Sequence, residues 1–158
     1  MTEGAYFEDF HVGDRIRSPA RTITETDLVL FAALSGDWHP MHTDAEYAKQ
    51  TAYGERIAHG LLTLAVSSGL MFRAGDRGIP SSTLALWGVE KVRFVAATKI
   101  GDTLHVEGEV VQLTAIDARR GLITFHQRVV NQHGEEVLTY TSKLLVARRR
   151  VERVPSDV

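Results

Sequence analysis

The amino-acid sequence predicts an α+β fold in which an antiparallel β-sheet is wrapped around one long central helix. Helical signals dominate the 158-residue chain up to about Arg73, and strand signals separated by turns dominate from Ser82 to Ala147. A helix that is apolar almost all round needs a cover, and a sheet of alternating polarity has one face to bury. One layer is therefore expected to pack on the other.

Two helices are predicted early in the chain from their capping residues. The segment 24–27 (TETD) resembles a capping box with Asp in place of Glu, so a helix is predicted over 25–35. Gly36 is expected to end this helix, because glycine readily adopts the left-handed conformation found after many helices. Asp44 can cap a further short helix that runs through Lys49.

A long apolar helix is predicted after a connecting loop. Residues 51–59 show no clear period and are interpreted as that loop, and Gly60 opens the run LLTLAVSSGLMF. Because this run is apolar almost all round, the helix is predicted to be buried on most of its surface. Its small residues would let a neighbouring backbone approach closely; they are Ala65, Ser67, Ser68 and Gly69.

Strands are predicted in the second half from alternating polarity and from turn residues. In 103–111 (TLHVEGEVV) apolar and polar residues roughly alternate, as in a sheet with one wet face. The four predicted strands cover about 83–96, 103–115, 121–132 and 136–148, with turns at 99–102, 117–121 and 131–134. Short turns of this kind favour antiparallel neighbours. An early strand over 14–22 is expected to join the sheet.

Composition narrows the classes of function. The chain is expected to form one domain, 1–158, with frayed ends at 1–4 and 152–158. A net charge of −2 argues against a nucleic-acid partner, and the absence of cysteine excludes thiol nucleophiles and zinc–thiolate sites. The run 148–150 (RRR) is interpreted as a solvated terminus rather than a phosphate-binding patch. No signal peptide or membrane-spanning run is found, so a cytoplasmic protein with no membrane partner is expected.

The stretch 35–44 (SGDWHPMHTD) is suited to proton chemistry rather than to packing. Asp37 and His42 lie five residues apart within it. On a continuous helix the two side chains would diverge by roughly 140°. Gly36 and Pro40 disfavour a continuous helix, so the chain is expected to turn between them. A carboxylate and an imidazole that face one pocket can hold a water molecule and move its protons near neutral pH.

A family resemblance rests on this stretch and on several later segments. The segment 31–42 (FAALSGDWHPMH), followed by 57–60 (IAHG), is similar to the MaoC-type, or (R)-specific enoyl-CoA hydratase, branch of the hotdog-fold superfamily. The motif is an Asp preceded by Gly, a Pro three residues further on and a His two residues beyond that. The similarity continues through 67–70 (SSGL), 91–96 (KVRFVA) and 101–104 (GDTL), so it spans most of the chain. It implies a hotdog fold that is normally dimeric.

The resemblance also implies roles for three residues. It assigns catalysis to Asp37 and His42, which would activate the water that is added to, or removed from, an acyl thioester. Gly60 matches the position of a backbone N–H donor to the thioester oxygen. The physical chemistry agrees, because an N–H at a helix N-terminus is unpaired within the helix and lies at the positive end of its dipole.

Three further residues have open roles. Ser68 matches a serine that helps to fix the active-site Asp, and the alternative is a small residue for tight helix packing. His59 is interpreted as a supporting or a structural histidine, with the structural role favoured. His39 stands where the family usually has Asn, which leaves the catalytic pair intact but leaves the substrate shape and the pH optimum open.

The leading hypothesis is a lyase that reversibly hydrates 2-enoyl thioesters to (R)-3-hydroxyacyl thioesters. CoA is the expected carrier, with acyl-carrier protein as the close variant, and the expected assembly is a homodimer or a dimer of dimers. No cofactor and no metal are expected, since the chain has no dinucleotide, phosphate-loop or His-Glu-x-x-His motif. The alternatives are a hotdog acyl-CoA thioesterase and a non-catalytic acyl-binding hotdog subunit. Acyl length and substitution are left open.

Overall fold

A computed structural model describes residues 5–149, so the predicted frayed ends lie outside the described range. The helices are α1 (Glu25–Ser35), α2 (Pro40–Thr43), α3 (Ala45–Lys49) and α4 (Gly60–Arg73). The strands are β1 (Arg15–Arg17), β2 (Arg21–Thr22), β3 (Thr83–Phe94), β4 (Thr103–Ala115), β5 (Arg120–Val130) and β6 (Glu136–Ala147). Short 3-10 helices cover Phe7–Asp9 and Gly75–Arg77. No helix in the described range has the length and apolar character needed to cross a bilayer.

The strands form one antiparallel sheet that packs on α4. Their spatial order is β1-β4-β5-β6-β3, with β2 paired to β4, so β3 lies at one edge. Leu62, Val66 and Leu70 on α4 share the buried core with inward-facing residues of the sheet such as Val106 and Phe125. The predicted α+β arrangement and the antiparallel pairing are confirmed.

The predicted early strand is broken into two short strands. Pro19 lies between β1 and β2, and proline has no N–H to donate to a neighbouring strand. The Ser18 side chain closes the gap, because its Oγ accepts a hydrogen bond from the Val106 N–H at 2.8 Å. The prediction of one continuous strand over 14–22 was therefore wrong, although both pieces do join β4.

The prediction that α4 is buried on most of its surface is wrong for the single chain. Leu61 and Phe72 are 62% and 69% exposed, because the sheet covers only one side of the helix. Ala65, Ser68 and Gly69 are exposed as well. The edge strand β3 also carries exposed apolar side chains; they are Leu84, Leu86, Trp87, Val89 and Phe94. An apolar surface of this extent is characteristic of a protein–protein contact.

The arginines near the C-terminus are bound to the start of the chain. Arg148 Nε lies 2.8 Å from Glu8 Oε1, and Arg149 contacts both carboxylate oxygens of Asp9 at 2.8 Å. The Arg148 guanidinium also lies over the Phe7 ring, 5.6 Å from its centroid. These two cations are thus paired within the chain rather than only solvated, and the interpretation that the run is not a phosphate-binding patch stays a prediction. Arg150 lies outside the described residues.

Candidate active site

The loop that carries Asp37 connects α1 to α2. Gly36 ends α1 with φ +77°, in the left-handed region, and Pro40 opens α2. Between them the Asp37 N–H donates to Ser35 Oγ at 3.2 Å, and Asp37 Oδ1 accepts from the His39 N–H at 3.2 Å. The predicted break at Gly36 and Pro40 is confirmed, and it leaves the Asp37 carboxylate exposed.

His39 caps α2 with its imidazole. Its Nδ1 accepts a hydrogen bond from the Met41 N–H at 3.1 Å, as an asparagine oxygen commonly does at this helix position. A ring nitrogen accepts only when it carries no proton, so the neutral ring of His39 is protonated on Nε2. His39 therefore makes one of the bracing hydrogen bonds expected of asparagine, and its ring centroid lies 6.2 Å from that of His42.

His42 is buried and oriented by a backbone carbonyl. Its Nδ1 lies 2.7 Å from the Ile57 carbonyl oxygen, which only accepts, so Nδ1 carries the proton. This leaves the Nε2 lone pair free to accept a proton. Burial lowers the pKa of His42, against an opposing effect of the hydrogen bond to Ile57, so the neutral form is favoured at pH 7.

His59 connects the two predicted catalytic residues. Its Nε2 donates to the Asp37 carbonyl oxygen at 2.9 Å, and its ring stacks on His42 with 3.8 Å between centroids. Phe31 packs against the same ring at 5.1 Å. His59 thus has a structural role within the site itself, as was favoured from the sequence. It holds both the Asp37 loop and the His42 ring.

The three side chains converge closely enough to bind a water molecule or an ion. One ligand atom from each of Asp37, His42 and His59 lies within 4.8 Å of the other two. A carboxylate and two imidazoles could also hold a transition metal. However, the two rings are only 30° from parallel, and stacked rings direct their in-plane lone pairs side by side rather than at one point. This arrangement suits a hydrogen-bonded water better than a metal ion.

Gly60 begins α4 at the wall of a cleft of about 350 Å³, which it shares with His42. The first N–H groups of a helix have no acceptor within it, so Gly60 can offer its N–H to an oxygen in the cleft. A Cβ at this position would lie 2.9–3.0 Å from carbons of the Phe94 ring, so any larger residue here would displace that ring or the start of α4. Asp37 is not among the residues that line this cleft.

Ser68 does not lie with the other predicted site residues. It is exposed and lines a separate pocket between α4 and the sheet. Within the described residues it has no hydrogen bond to Asp37, so the single chain does not support the role of fixing that carboxylate. Its neighbour Ser67 is the buried hydroxyl, 3.0 Å from the Tyr140 hydroxyl.

Comparison with known proteins identifies the family. A family model described as MaoC like domain matches residues 9–132, which include the Asp37 loop, α4 and the first part of the sheet. The chain belongs to the MaoC-like domain family.

Relatives of this MaoC-like chain include proteins of different lengths. Protein MaoC of Klebsiella aerogenes is 41% identical over 101 residues, which are 64% of this chain and 29% of that protein. The chain thus spans under a third of that relative. An (R)-specific enoyl-CoA hydratase of Rhodospirillum rubrum is 36% identical over 120 residues, which are 76% of this chain and 77% of the relative.

Solved structures agree on the architecture. A monoamine oxidase regulatory protein from Archaeoglobus fulgidus superposes with a TM-score of 0.86 at 38% identity, over 92% of this chain and 96% of that one. A double-hotdog protein from Mycobacterium tuberculosis superposes with a TM-score of 0.79 over 98% of this chain and 48% of that one. Its 22% identity speaks for the fold alone. The hotdog fold predicted for this MaoC-like chain is confirmed.

Two contributions to this MaoC-like site could not be found from the sequence. The Ile57 carbonyl sets the tautomer of His42, but a backbone oxygen has no residue signature. Phe94, at the end of the distant strand β3, lines the cleft beside Gly60. The loop that carries Ile57 is held near that strand because the Ala58 N–H donates to the Thr98 carbonyl at 2.7 Å. Only the folded chain brings these groups together.

The lowered pKa of His42 makes the stability of this MaoC-like protein depend on pH. Its folded-state pKa lies below the ordinary 6.5, so as the pH falls the unfolded chain binds the proton first. The free energy of unfolding should therefore fall below about pH 6.5, until His42 is protonated in the folded state as well. We expect the urea midpoint of the wild type to fall from about pH 7.5 to about pH 5.5 more steeply than that of His42→Asn. Equal slopes, with exposed His126→Asn as the control, would contradict this.

Proposed function

We propose that this MaoC-like protein is a hydro-lyase that adds water reversibly across the double bond of 2-enoyl thioesters. The observation that carries the proposal is that the Asp37 carboxylate lies close to the neutral imidazole of His42. His42 in turn lines one cleft together with Gly60, at the N-terminus of α4. The Rhodospirillum rubrum relative, named as an (R)-specific enoyl-CoA hydratase, supports the same reaction and an (R)-3-hydroxyacyl product.

The catalytic water is proposed to lie between Asp37 and the Nε2 of His42. As the water oxygen bonds to the β-carbon, one of the two side chains takes a proton from it. The pair then delivers a proton to the α-carbon, so that H and OH both come from one water and the two side chains return to their starting states; the reverse sequence releases water. His42 is suited to accept a proton because its Nδ1 is committed to the Ile57 carbonyl and its ring is neutral. Because both side chains lie on one side of the bound water, addition takes place on one face.

The developing enolate needs a donor for its oxygen. We propose that the Gly60 N–H provides it, since this N–H is unpaired within α4 and lies at the positive end of the helix dipole. A preorganised backbone donor of this kind acts where charge develops in the transition state. The hydroxyl of Thr63, one turn further along α4, is occupied by Thr98 Oγ1 at 3.2 Å.

The test is a panel of enoyl-CoA thioesters given to the purified protein. Loss of the conjugated thioester absorbance is expected with at least one of crotonyl-, hexenoyl- or octenoyl-CoA, and chiral analysis of the product should find the (R)-3-hydroxyacyl form. The same panel on an acyl-carrier protein decides between the two carriers. Release of free thiol from a saturated acyl-CoA would instead support a thioesterase. No change with any thioester would support a non-catalytic acyl-binding subunit.

We also propose that the protein is a homodimer in which the edge strand β3 and the open side of α4 are covered. Both surfaces are apolar, and Trp87 on β3 and Phe72 on α4 are 64% and 69% exposed in the single chain. An uncovered apolar edge strand invites pairing with a second strand. The cytoplasmic location predicted from the sequence stays a prediction.

Light scattering tests this assembly. We expect a mass of about twice the 17.5 kDa of one chain for the wild type. Val89→Lys on β3 should shift the protein towards the monomer, because it would bury a charge without a partner. The matched control is Val12→Lys, since Val12 is 65% exposed and belongs to neither β3 nor α4. A monomeric wild type would contradict the proposal.

A further inference from the structure

His39 lies between the two proposed catalytic residues, and its main chain contacts both of them. Its N–H donates to Asp37 Oδ1 at 3.2 Å, and its carbonyl oxygen accepts from the His42 N–H at 2.9 Å. The same carbonyl accepts from the Thr43 hydroxyl at 3.3 Å. The conformation of this one residue therefore helps to fix where the Asp37 carboxylate and the His42 ring lie relative to each other.

The His39 side chain holds this conformation through α2. Its Nδ1 accepts from the Met41 N–H at 3.1 Å, which satisfies one of the N–H groups that have no acceptor within the helix. A series of contacts runs from there to the catalytic imidazole. The Met41 carbonyl accepts from the Ile57 N–H at 3.4 Å, and the Ile57 carbonyl accepts from His42 Nδ1 at 2.7 Å. Loss of the cap would thus act on the group that orients His42.

The cap exists only while His39 is neutral. A ring nitrogen that accepts a hydrogen bond carries no proton, whereas both nitrogens of an imidazolium are donors. In the cation, an Nδ1–H would face the Met41 N–H, and two donors directed at each other repel, so the ring must leave the cap. His39 is exposed, so protons from the solvent reach it. Imidazoles exchange this proton between about pH 5 and 8, the range in which most proteins are studied.

The titratable side chains around His39 come from its own loop, from α2, from α3 with its cap and from the start of α4; they are Asp37, His42, Tyr47, Asp44 and His59. The His39 ring centroid lies 6.2 Å from that of His42 and 6.0 Å from that of Tyr47. Asp37 accepts the His39 N–H, Asp44 caps α3, and the His59 ring is stacked on that of His42. The two carboxylates favour a proton on His39, and the other two imidazoles oppose it only once they are charged themselves.

Protonation of His39 has two opposite effects on His42. Burial is the largest cause that lowers the pKa of His42, and a positive charge on His39 adds a smaller lowering. The charge therefore keeps His42 neutral to lower pH, which favours the reaction. Loss of the cap loosens the turn that carries Asp37 and His42, which disfavours it. Because loss of a side-chain cap shifts a local equilibrium by about 2- to 30-fold, we expect the cap to dominate.

We propose that His39 is a positioning residue whose neutral imidazole holds the turn between Asp37 and His42, and that its protonation sets the acidic limit of the reaction. The proposal rests on the function proposed above and adds how that function depends on pH. The asparagine that usually stands at this position in the family would cap α2 at every pH, because its amide oxygen has no proton to gain. The histidine replaces a permanent cap with one that acid removes.

The test compares pH profiles of enoyl-CoA hydration. His39→Asn keeps an acceptor that does not titrate, and His39→Ala has no acceptor at all. From about pH 7.5 to about pH 5.5, kcat/KM of the wild type should fall about threefold or more beyond the fall seen in His39→Asn. At the higher pH, His39→Ala should be less active than His39→Asn by a similar factor, because only asparagine restores the cap. His126→Asn, at an exposed position on β5, should keep the wild-type profile.

Nuclear magnetic resonance of the uniformly ¹⁵N-labelled protein follows the cap without any substrate. At the neutral end of the titration, the Nδ1 of His39 should have the chemical shift of an unprotonated ring nitrogen. As His39 gains its proton, the amide signal of Met41 should move with it, because its acceptor is lost. In His39→Asn the Met41 amide should move much less over the same range.

Two results would overturn the proposal. One is a kcat/KM of His39→Asn that falls with pH as steeply as that of the wild type, or more steeply, since the charge effect on His42 would then outweigh the cap. The other is a Met41 amide that does not follow the titration of His39. A protein in which Met41 follows His39 but which hydrates no enoyl-CoA would instead refute the proposed reaction and leave the acid-sensitive cap standing.

Discussion

Asp37→Asn and His42→Asn are each expected to lower kcat/KM for enoyl-CoA hydration by about 10²- to 10⁴-fold, the range typical for loss of a positioned acid or base. Asp37→Asn keeps the shape of the side chain but removes its ability to take a proton from water. His42→Asn can still donate an N–H towards the Ile57 carbonyl, which His42 Nδ1 now contacts at 2.7 Å, but it has no basic nitrogen for the water.

Folding and activity are separated by two controls. Asp37 is exposed, so circular dichroism and the urea midpoint of Asp37→Asn should match those of the wild type. Glu46→Gln, which neutralises an exposed carboxylate paired with Lys49, and His126→Asn on the outer side of β5 should both keep full activity. Wild-type turnover in either Asp37→Asn or His42→Asn would remove the basis for the proposed mechanism.

Gly60→Ala keeps the backbone N–H but is expected to displace it from the thioester oxygen, so kcat/KM should fall by up to about 10²-fold, the cost of losing one oxyanion donor. Its new Cβ would lie 2.9–3.0 Å from the Phe94 ring, so either the ring or the start of α4 must move. Both displacements alter the place where the thioester oxygen is proposed to bind. The effect should appear mainly in kcat, because the donor acts most strongly on the charge that develops in the transition state.

Two further variants identify the origin of that loss. In Gly60→Ala/Phe94→Leu the smaller side chain relieves the contact with the ring, and we expect activity to stay low because the Cβ still occupies the cleft. Full recovery in the double variant would show that Phe94, rather than the Gly60 N–H, is what matters. Gly69→Ala adds a methyl group to the same helix where no atom of the single chain lies within 4 Å. Because Gly69 lies on the proposed dimer surface, the variant serves as the control when light scattering gives the wild-type mass, and it should then keep activity.

Local sequence signals were sufficient to predict where α1 and α3 begin and where α1 ends. Thr24 and Asp27 form the predicted capping box, and the turn at Gly36 has the positive φ that only glycine adopts easily. Asp44 likewise caps α3 by accepting from two backbone N–H groups. These contacts span four residues or fewer, so the pattern of residues specifies them without help from the rest of the chain.

Predictions that depended on distant partners were less complete. The apolar pattern of α4 correctly indicated a helix, but how much of its surface is buried depends on the extent of the sheet, and Leu61 is left 62% exposed. Ser68 was assigned a role by its match to a family serine, whereas its position on α4 places it at a separate pocket between the helix and the sheet. A structural role was favoured for His59, and the structure places its ring 3.8 Å from that of His42.

Residues close together in the chain were sufficient to predict α1, α3, α4, the four long strands, the family and the candidate pair Asp37 and His42. They were not sufficient to predict α2 or the break between β1 and β2. The contacts of the folded chain were needed to establish which nitrogen of His42 is free and what His59 holds. Those properties arise from contacts between segments far apart in sequence, such as the Ile57 carbonyl with His42 and the Asp37 carbonyl with His59. The burial and the tautomer of a side chain depend on all the atoms around it, so no local pattern of residues predicts them.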